Sequence, residues 1–441
     1  MTHRNRIAGF CFATFAAVST PAFADSATDA LAKQVDELAK QVKALQEQVK
    51  HLQSQNEALA NQMEGETANA QASPVPAPAA GAVAASSTSG GVLSRASLFG
   101  YGEINYSHYD HDASATQMDL RRAVFGIGYR FNDRTRFVSE FEVEHAIASA
   151  DDEGEFEVEQ FYIDHRLASV VSLKAGLFLI PMGLLNESHE PTRYFGVERN
   201  FVETAIIPST WREGGAALYG DVAGLRWDVG VTTGFNLSNW DFTSDEATES
   251  PLGAIHQELQ LARASDLAQY VALNYNVPGL NVGASVFTGG AGQSQPGIED
   301  HPRVTLWETH TRWTHGPFDL SAMYARGVIG GAGSTNAVNI GQPFPIPDSF
   351  YGWCAQGAYR AWQSGERSLW PFARYERFNT AASYPGQPEG LGTEALPTET
   401  VNTYGANFYL NPNVVLKADY QSFHVDRDRD RFDLGIGLMF Y

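Results

Sequence analysis

Three arginines, Arg193, Arg199 and Arg212, lie within one 32-residue stretch (181–212) that also carries Glu190, Glu198, Glu203 and, directly after it, Glu213. A guanidinium is planar, permanently charged and able to hold a phosphate or carboxylate through two parallel hydrogen bonds, so a cluster of them is suited to binding or steering an anion. Arg122, Arg130 and Lys174 add cationic charge from the flanking segments. The same arginines could instead pair with Glu190, Glu198, Glu203 and Glu213 and pin the stretch to its surroundings. A second set of ionisable groups, Glu140, Glu142 and Glu144, alternates with Phe141 and Val143, which places all three carboxylates on one face of a strand. Three carboxylates in a row repel anions unless neighbouring cations offset them; Arg122 and Arg130 on the adjacent segment are the expected cross-strand partners. Catalytic and metal chemistry find no comparable pattern. The chain has no H-E-x-x-H, no cysteine pair and no Gly-rich loop ahead of a helix, and no spacing joins a serine to a base, so the expectation is a non-enzyme without cofactor or metal.

The elements that must position these residues alternate with a period of two. In the segment 226–236, Trp227, Val229, Val231, Thr233 and Phe235 fall on one face, opposite Arg226, Asp228, Gly230, Thr232, Gly234 and Asn236. About sixteen such segments begin near residues 95, 118, 134, 155, 170, 213, 224, 268, 280, 303, 317, 350, 369, 400, 413 and 430. Their connections alternate between tight turns, at 132–133, 167–169, 221–224, 277–279, 315–317, 364–366 and 411–413, and longer loops. Short turns at one rim and long loops at the other predict an all-β, sixteen-stranded antiparallel transmembrane barrel, because only a closed sheet leaves no unpaired backbone in hydrocarbon. An even strand number returns both ends of the barrel to the short-turn rim. Phe432, Leu434, Ile436, Leu438 and Phe440 form a lipid-facing row, and Tyr101, Tyr106, Tyr109, Trp211, Trp313, Trp353, Trp362 and Trp370 are expected in aromatic girdles.

Ahead of the barrel the composition changes twice. Residues 1–24 read as a signal peptide: His3, Arg4 and Arg6, then an apolar run, then Ala22-Phe23-Ala24 before the cut. Residues 25–64 carry a seven-residue repeat, with Val35, Val42, Val49, Asn56 and Met63 at one core position and Leu31, Leu38, Leu45, Leu52 and Leu59 at the other, which predicts a short periplasmic α-helical coiled coil. Residues 65–94, rich in Ala, Pro, Ser and Gly, are a linker, and 95–441 the barrel. Export would leave Cys354 as the one thiol, so no intramolecular disulfide framework is expected. A net charge of −21 argues against a nucleic-acid partner, and no apolar run after the leader is long enough for a membrane helix.

The stretch 174–220 resembles the signature region of the phosphate-selective porin O and P family. G-L-F-L-I-P-M-G at 176–183, E-R-N-F at 198–201 and I-I-P-S-T-W-R-E-G-G at 206–215 carry the likeness, with L-R-R-A at 120–123 and F-A-R-Y-E at 372–376 extending it along the barrel. The resemblance implies a homotrimeric outer-membrane porin whose third long loop folds inward to narrow the pore. It also implies passive diffusion of small hydrophilic solutes, anions such as phosphate among them. On that reading Arg193, Arg199, Arg212, Arg122, Arg130 and Lys174 line the path, with Glu190, Glu198 and Glu213 as acids of the constriction. The chain departs from the family in its cations: the barrel region holds only two lysines, Lys174 and Lys417, within an acidic chain. A general or cation-favouring pore is therefore the alternative, as is an envelope tether or surface receptor. The expected partners are small ions, outer-membrane lipid and lipopolysaccharide, with the coiled coil reaching toward peptidoglycan.

Overall fold

The computed structural model describes residues 94–146, 154–298, 301–387 and 392–441, with Lys40 and Lys43 as isolated positions. The expected leader (1–24), coiled coil (25–64) and linker (65–94) lie outside the described residues, apart from Lys40, Lys43 and Ser94. The chain forms a closed antiparallel barrel of sixteen strands: β1 (Ala96–Tyr109), β2 (Gln117–Arg130), β3 (Thr135–Glu144), β4 (Phe156–Ala168), β5 (Val171–Leu179), β6 (Arg212–Val222), β7 (Leu225–Thr233), β8 (Leu267–Val277), β9 (Leu280–Gly290), β10 (Arg303–His315), β11 (Phe318–Gly330), β12 (Ser349–Tyr359, resumed over Trp362–Ser364), β13 (Arg367–Ser383), β14 (Glu399–Asn411), β15 (Val414–Phe423) and β16 (Arg431–Phe440). Each pairs with its sequence neighbours, and β1 closes on β16 in a register running from Gly100 opposite Phe440 to Tyr109 opposite Arg431. All seven expected tight turns join the strands at one rim; the longer loops join them at the other.

Alternation divides every strand between outside and lumen. On β16, Phe432, Leu434, Ile436, Leu438 and Phe440 face outward, while Arg431, Asp433 and Met439 are buried inside. On β7, Val229 and Val231 point outward and Asp228, Gly230 and Thr232 inward, as their period requires. The pattern ends sooner than expected: β7 stops at Thr233, and Phe235 turns into the barrel, 1% exposed. Four of the expected girdle residues are on the lumen side as well. Tyr101 and Tyr109 share the inward row of Glu103, Trp370 shares that of Phe372 and Arg374 and packs against Phe195, and Trp211, the last residue before β6, is fully buried, its indole N–H donating to Glu213 Oε1 at 3.3 Å. Trp313, Trp353 and Trp362 do face outward.

The lumen is not uniformly wet. The third long loop (180–211) enters it, and its apolar residues Ile180, Met182, Val202, Ile206, Ile207 and Trp211 pack against inward side chains that include Phe287, Leu306, Met323, Phe350 and Phe378. Trp211 stacks on Phe235 with 5.3 Å between centroids and meets Phe287 edge-on at 4.6 Å. This cluster, on the β8–β13 side, is a dry core built inside a barrel.

Gly176 shows how closely the signature stretch is fitted. It sits within β5 at φ +137°, between Tyr162 of β4 and Gly215 of β6. A Cβ there would lie 2.3 Å from the carbonyl oxygen of Phe161 and 2.7 Å from Cα of Tyr162, both backbone atoms that cannot move aside. Gly176→Ala therefore combines backbone strain with a steric clash and is expected to cost about 2 kcal/mol or more. Urea unfolding of the purified barrel in detergent checks this; a wild-type midpoint would contradict it.

Candidate functional site

Asn186 holds the two ends of the third loop together. Its Nδ2 donates to the carbonyls of Ile180 (2.7 Å) and Trp211 (2.8 Å), and its Oδ1 accepts from the Trp211 amide (2.7 Å). An amide side chain supplies donors and an acceptor at once, which a carboxylate or an amine cannot. Glu203 organises the interior of the loop, accepting from the Leu185 amide at 2.6 Å and from Asn200 Nδ2 at 2.6 Å. Gly183, at φ +80°, passes directly over that carboxylate, where a Cβ would be 2.4 Å from Oε1.

The loop is then stitched to the wall by inward polar residues. Arg374 on β13 pairs with Glu376 at 2.7 Å and donates to the carbonyls of Phe195 (3.2 Å) and Glu198 (3.3 Å), while Glu376 accepts from the Phe201 amide at 2.6 Å. Asp419 on β15 accepts from the Val197 amide at 2.6 Å, and Asn407 on β14 binds both the Gly196 amide and the Tyr194 carbonyl. From the other side of the closure, Glu103 on β1 accepts from the Tyr194 hydroxyl at 2.8 Å, and Arg122 on β2 donates to the His189 carbonyl at 2.9 Å. Burial, reinforced by Arg199 and Arg122, pushes His189 well below the ordinary imidazole range. As a neutral ring it can donate from Nδ1 to the Asn186 carbonyl (2.9 Å) and accept at Nε2 from the Tyr101 hydroxyl (2.6 Å).

What the loop leaves open lies against β1–β7. A cavity of about 230 Å³ on the long-loop side is bordered by seven carboxylates, Glu103, Glu142, Glu144, Glu155, Glu157, Glu198 and Glu258, and four guanidiniums, Arg121, Arg122, Arg199 and Arg212. A second, of about 440 Å³, opens toward the short-turn rim and is lined by Arg136, Tyr162, Lys174, Glu187, Tyr219 and Arg226 among others. On β4, Glu157 borders the first cavity and Tyr162 the second, so Glu159 and Gln160 stand between them. Glu140 on β3, hydrogen-bonded to Gln160, belongs to the same narrow layer.

Of the six expected cations, Arg122, Arg199 and Arg212 come together at the first cavity, whereas Lys174, Arg193 and Arg130 lie apart from it. Arg199 lines the first cavity and donates to the hydroxyls of Ser209 and Thr210, both at 3.0 Å. Arg212 lines it too but is buried between Glu157 and Glu258, the latter at 2.9 Å. Arg122 pairs with Glu103 at 2.7 Å, not with the β3 carboxylates: its backbone lies opposite Glu144, but its side chain turns toward β1 and the loop. Lys174 is held by Asp228 at 2.8 Å beside the second cavity. Arg193 is exposed, 3.9 Å from Glu190 and 3.0 Å from the Tyr441 hydroxyl. Arg130 is exposed at the end of β2, opposite Arg136, and so away from the narrow layer. Of the expected acids, Glu198 borders the first cavity and Glu190 is partly exposed, whereas Glu213 is fully buried behind the loop, bound to Trp211 and Thr233. Glu203 and Glu213 pair with no arginine among the described residues; pinning of the loop falls instead to Asn186, Arg374, Glu376, Asn407 and Asp419. Those residues carry a signal that a strand reading can use: Arg374/Glu376 and Lys417/Asp419/Gln421 are polar residues two apart, interleaved with apolar ones, and so share an inward face.

No family model matches the chain. An uncharacterized protein of Aquifex aeolicus (strain VF5) is 29% identical over 357 residues, covering 78% of this chain and 80% of that one. Among solved structures, OmpF of Salmonella typhi, in a complex with Daunomycin, superimposes with a TM-score of 0.56 at 15% identity over 78% of this chain and 97% of its own. The outer membrane channel DcaP of Acinetobacter baumannii gives a TM-score of 0.47 at 13% identity over 78% and 97%. The likeness to OmpF shows that this chain has the fold of an outer-membrane porin.

Proposed function

We propose that the chain is an outer-membrane porin: a passive channel for small hydrophilic solutes, not an enzyme, in which the third loop sets the width of the path. The observation that carries this reading is the division of the lumen. The loop buries its apolar side in the dry cluster and leaves two cavities against β1–β7, parted by a narrow polar layer, whose lining is almost wholly charged or hydroxylated. Such a lining favours water and polar solutes, as a pore requires. The outward apolar rows support lipid contact, and the short-turn rim, to which both barrel ends return, would face the periplasm. Assembly as a homotrimer and contact of the N-terminal segment with peptidoglycan belong to the same proposal. A site dedicated to phosphate finds less support, because Arg122, Lys174 and Arg212 already spend their charge on Glu103, Asp228, and Glu157 with Glu258.

Purified protein in a planar bilayer should give stepwise conductance in KCl. Asn186→Ala, which frees the ends of the loop while leaving the wall intact, is expected to give a larger or noisier unit conductance from a barrel that still migrates as a folded species on unheated gels. Silence from wild-type barrels that are folded by that criterion would overturn the channel reading in favour of a tether or receptor. Lipid contact has its own check: Ile436→Arg, in the middle of the outward row of β16, should cost about 2–4 kcal/mol in lipid vesicles. The same substitution should have little effect if that face does not meet hydrocarbon.

A further inference from the structure

The β3 carboxylates are not accounted for by solute diffusion alone. Glu144, Glu142 and Glu140 take successive inward positions on one strand, leading from the first cavity into the narrow layer. The arginines nearest to them are engaged elsewhere, Arg122 with Glu103 and Arg212 with Glu157 and Glu258. His189, which faces Glu159 at 3.7 Å, is held neutral by its burial and supplies no charge. Glu142 is 2% exposed and meets the fully buried Glu159 of β4 through its carboxyl group, while its Oε1 has no donor. A buried carboxylate oxygen without a partner costs free energy that a cation beside it would offset. Among the described residues, no group of three or more acids or imidazoles converges tightly enough to hold a metal ion, so the row is not a chelating site.

We infer that the passage selects cations, and that Glu144, Glu142 and Glu140 form the lane along which small monovalent cations, inorganic or ammonium, cross the narrow layer. The inference rests on the channel reading above. Each carboxylate hands the ion to the next about two residues further along the strand, roughly 7 Å, a spacing over which a hydrated monovalent ion can be shared. The buried Arg122 and Arg212 fix the wall and the loop through their carboxylate partners, while Arg121 and Arg199 border the first cavity, where the lane begins.

The test is the reversal potential of single channels under a KCl gradient at pH 9, for wild type, for the isosteric pair Glu140→Gln with Glu142→Gln, and for Arg130→Gln at the short-turn rim as a control. Wild type should reverse on the cation side. The double variant should lower the potassium-to-chloride permeability ratio about fivefold, as expected for two unit charges within several ångströms of an ion in a water-filled pore. Arg130→Gln should leave the ratio unchanged. Conducting channels that reverse on the anion side, or a ratio that the double variant does not move, overturn the lane while leaving the channel reading intact. Should the double variant fail to fold, the wild-type reversal potential and its shift on replacing potassium by methylammonium still decide. Folded wild-type barrels that do not conduct overturn both readings.

Discussion

A peptide N–H or C=O left unpaired in hydrocarbon costs several kcal/mol, and the architecture follows from meeting that demand all the way round. Closure of β1 on β16 removes the last sheet edge. Once the backbone is satisfied, side chains are free to divide by face, and the outer face takes Phe432, Leu434 and Ile436 while the inner face of the same strand takes Arg431 and Asp433. The charge that would be untenable outside is admissible inside, where it can be hydrated or paired.

Inside, a second constraint takes over. A loop of 32 residues can occupy the lumen in one conformation only if its backbone groups are satisfied there. Arg374, Glu376, Asn407 and Asp419 supply those bonds on one side, Glu103 and Arg122 on the other, and the apolar cluster fixes the loop's depth. Guanidiniums are well suited to such work because one group can serve several carbonyls and a carboxylate together, as Arg374 does. The same property that makes arginine a good anion ligand thus makes it a good structural clamp, and in this lumen three of the six expected cations are buried against carboxylate partners.

This explains what could and could not be read from the residues alone. All sixteen strands and the seven tight turns were legible, because alternation and turn chemistry are local: Val277-Pro278-Gly279 or Asn411-Pro412-Asn413 needs no distant partner to be recognised. Inward burial of the loop followed from a family likeness. Which side chain meets which did not, since the partners of 194–201 lie on β1 and on β13–β15, from about 90 to about 220 residues away in the chain. The expected pairing of the β3 carboxylates with Arg122 and Arg130 did not form: Arg130 lies opposite Arg136, and Arg122, though opposite Glu144, sends its long flexible side chain to Glu103 on its other neighbour and the loop beyond it. Phe235, Tyr101 and Trp211 defeated the outward reading because aromatic residues suit a girdle and a dry interior equally well.

Anchoring the loop to both ends of the barrel sequence couples two features that look separate. Tyr194 reaches Glu103 on β1 and Asn407 on β14, strands that become near neighbours around the wall only when β1 has met β16. The full set of contacts that calibrates the bore therefore exists only in the shut wall, so a substitution that loosens the seam between the first and last strands also loosens the aperture, although it touches no residue of the loop.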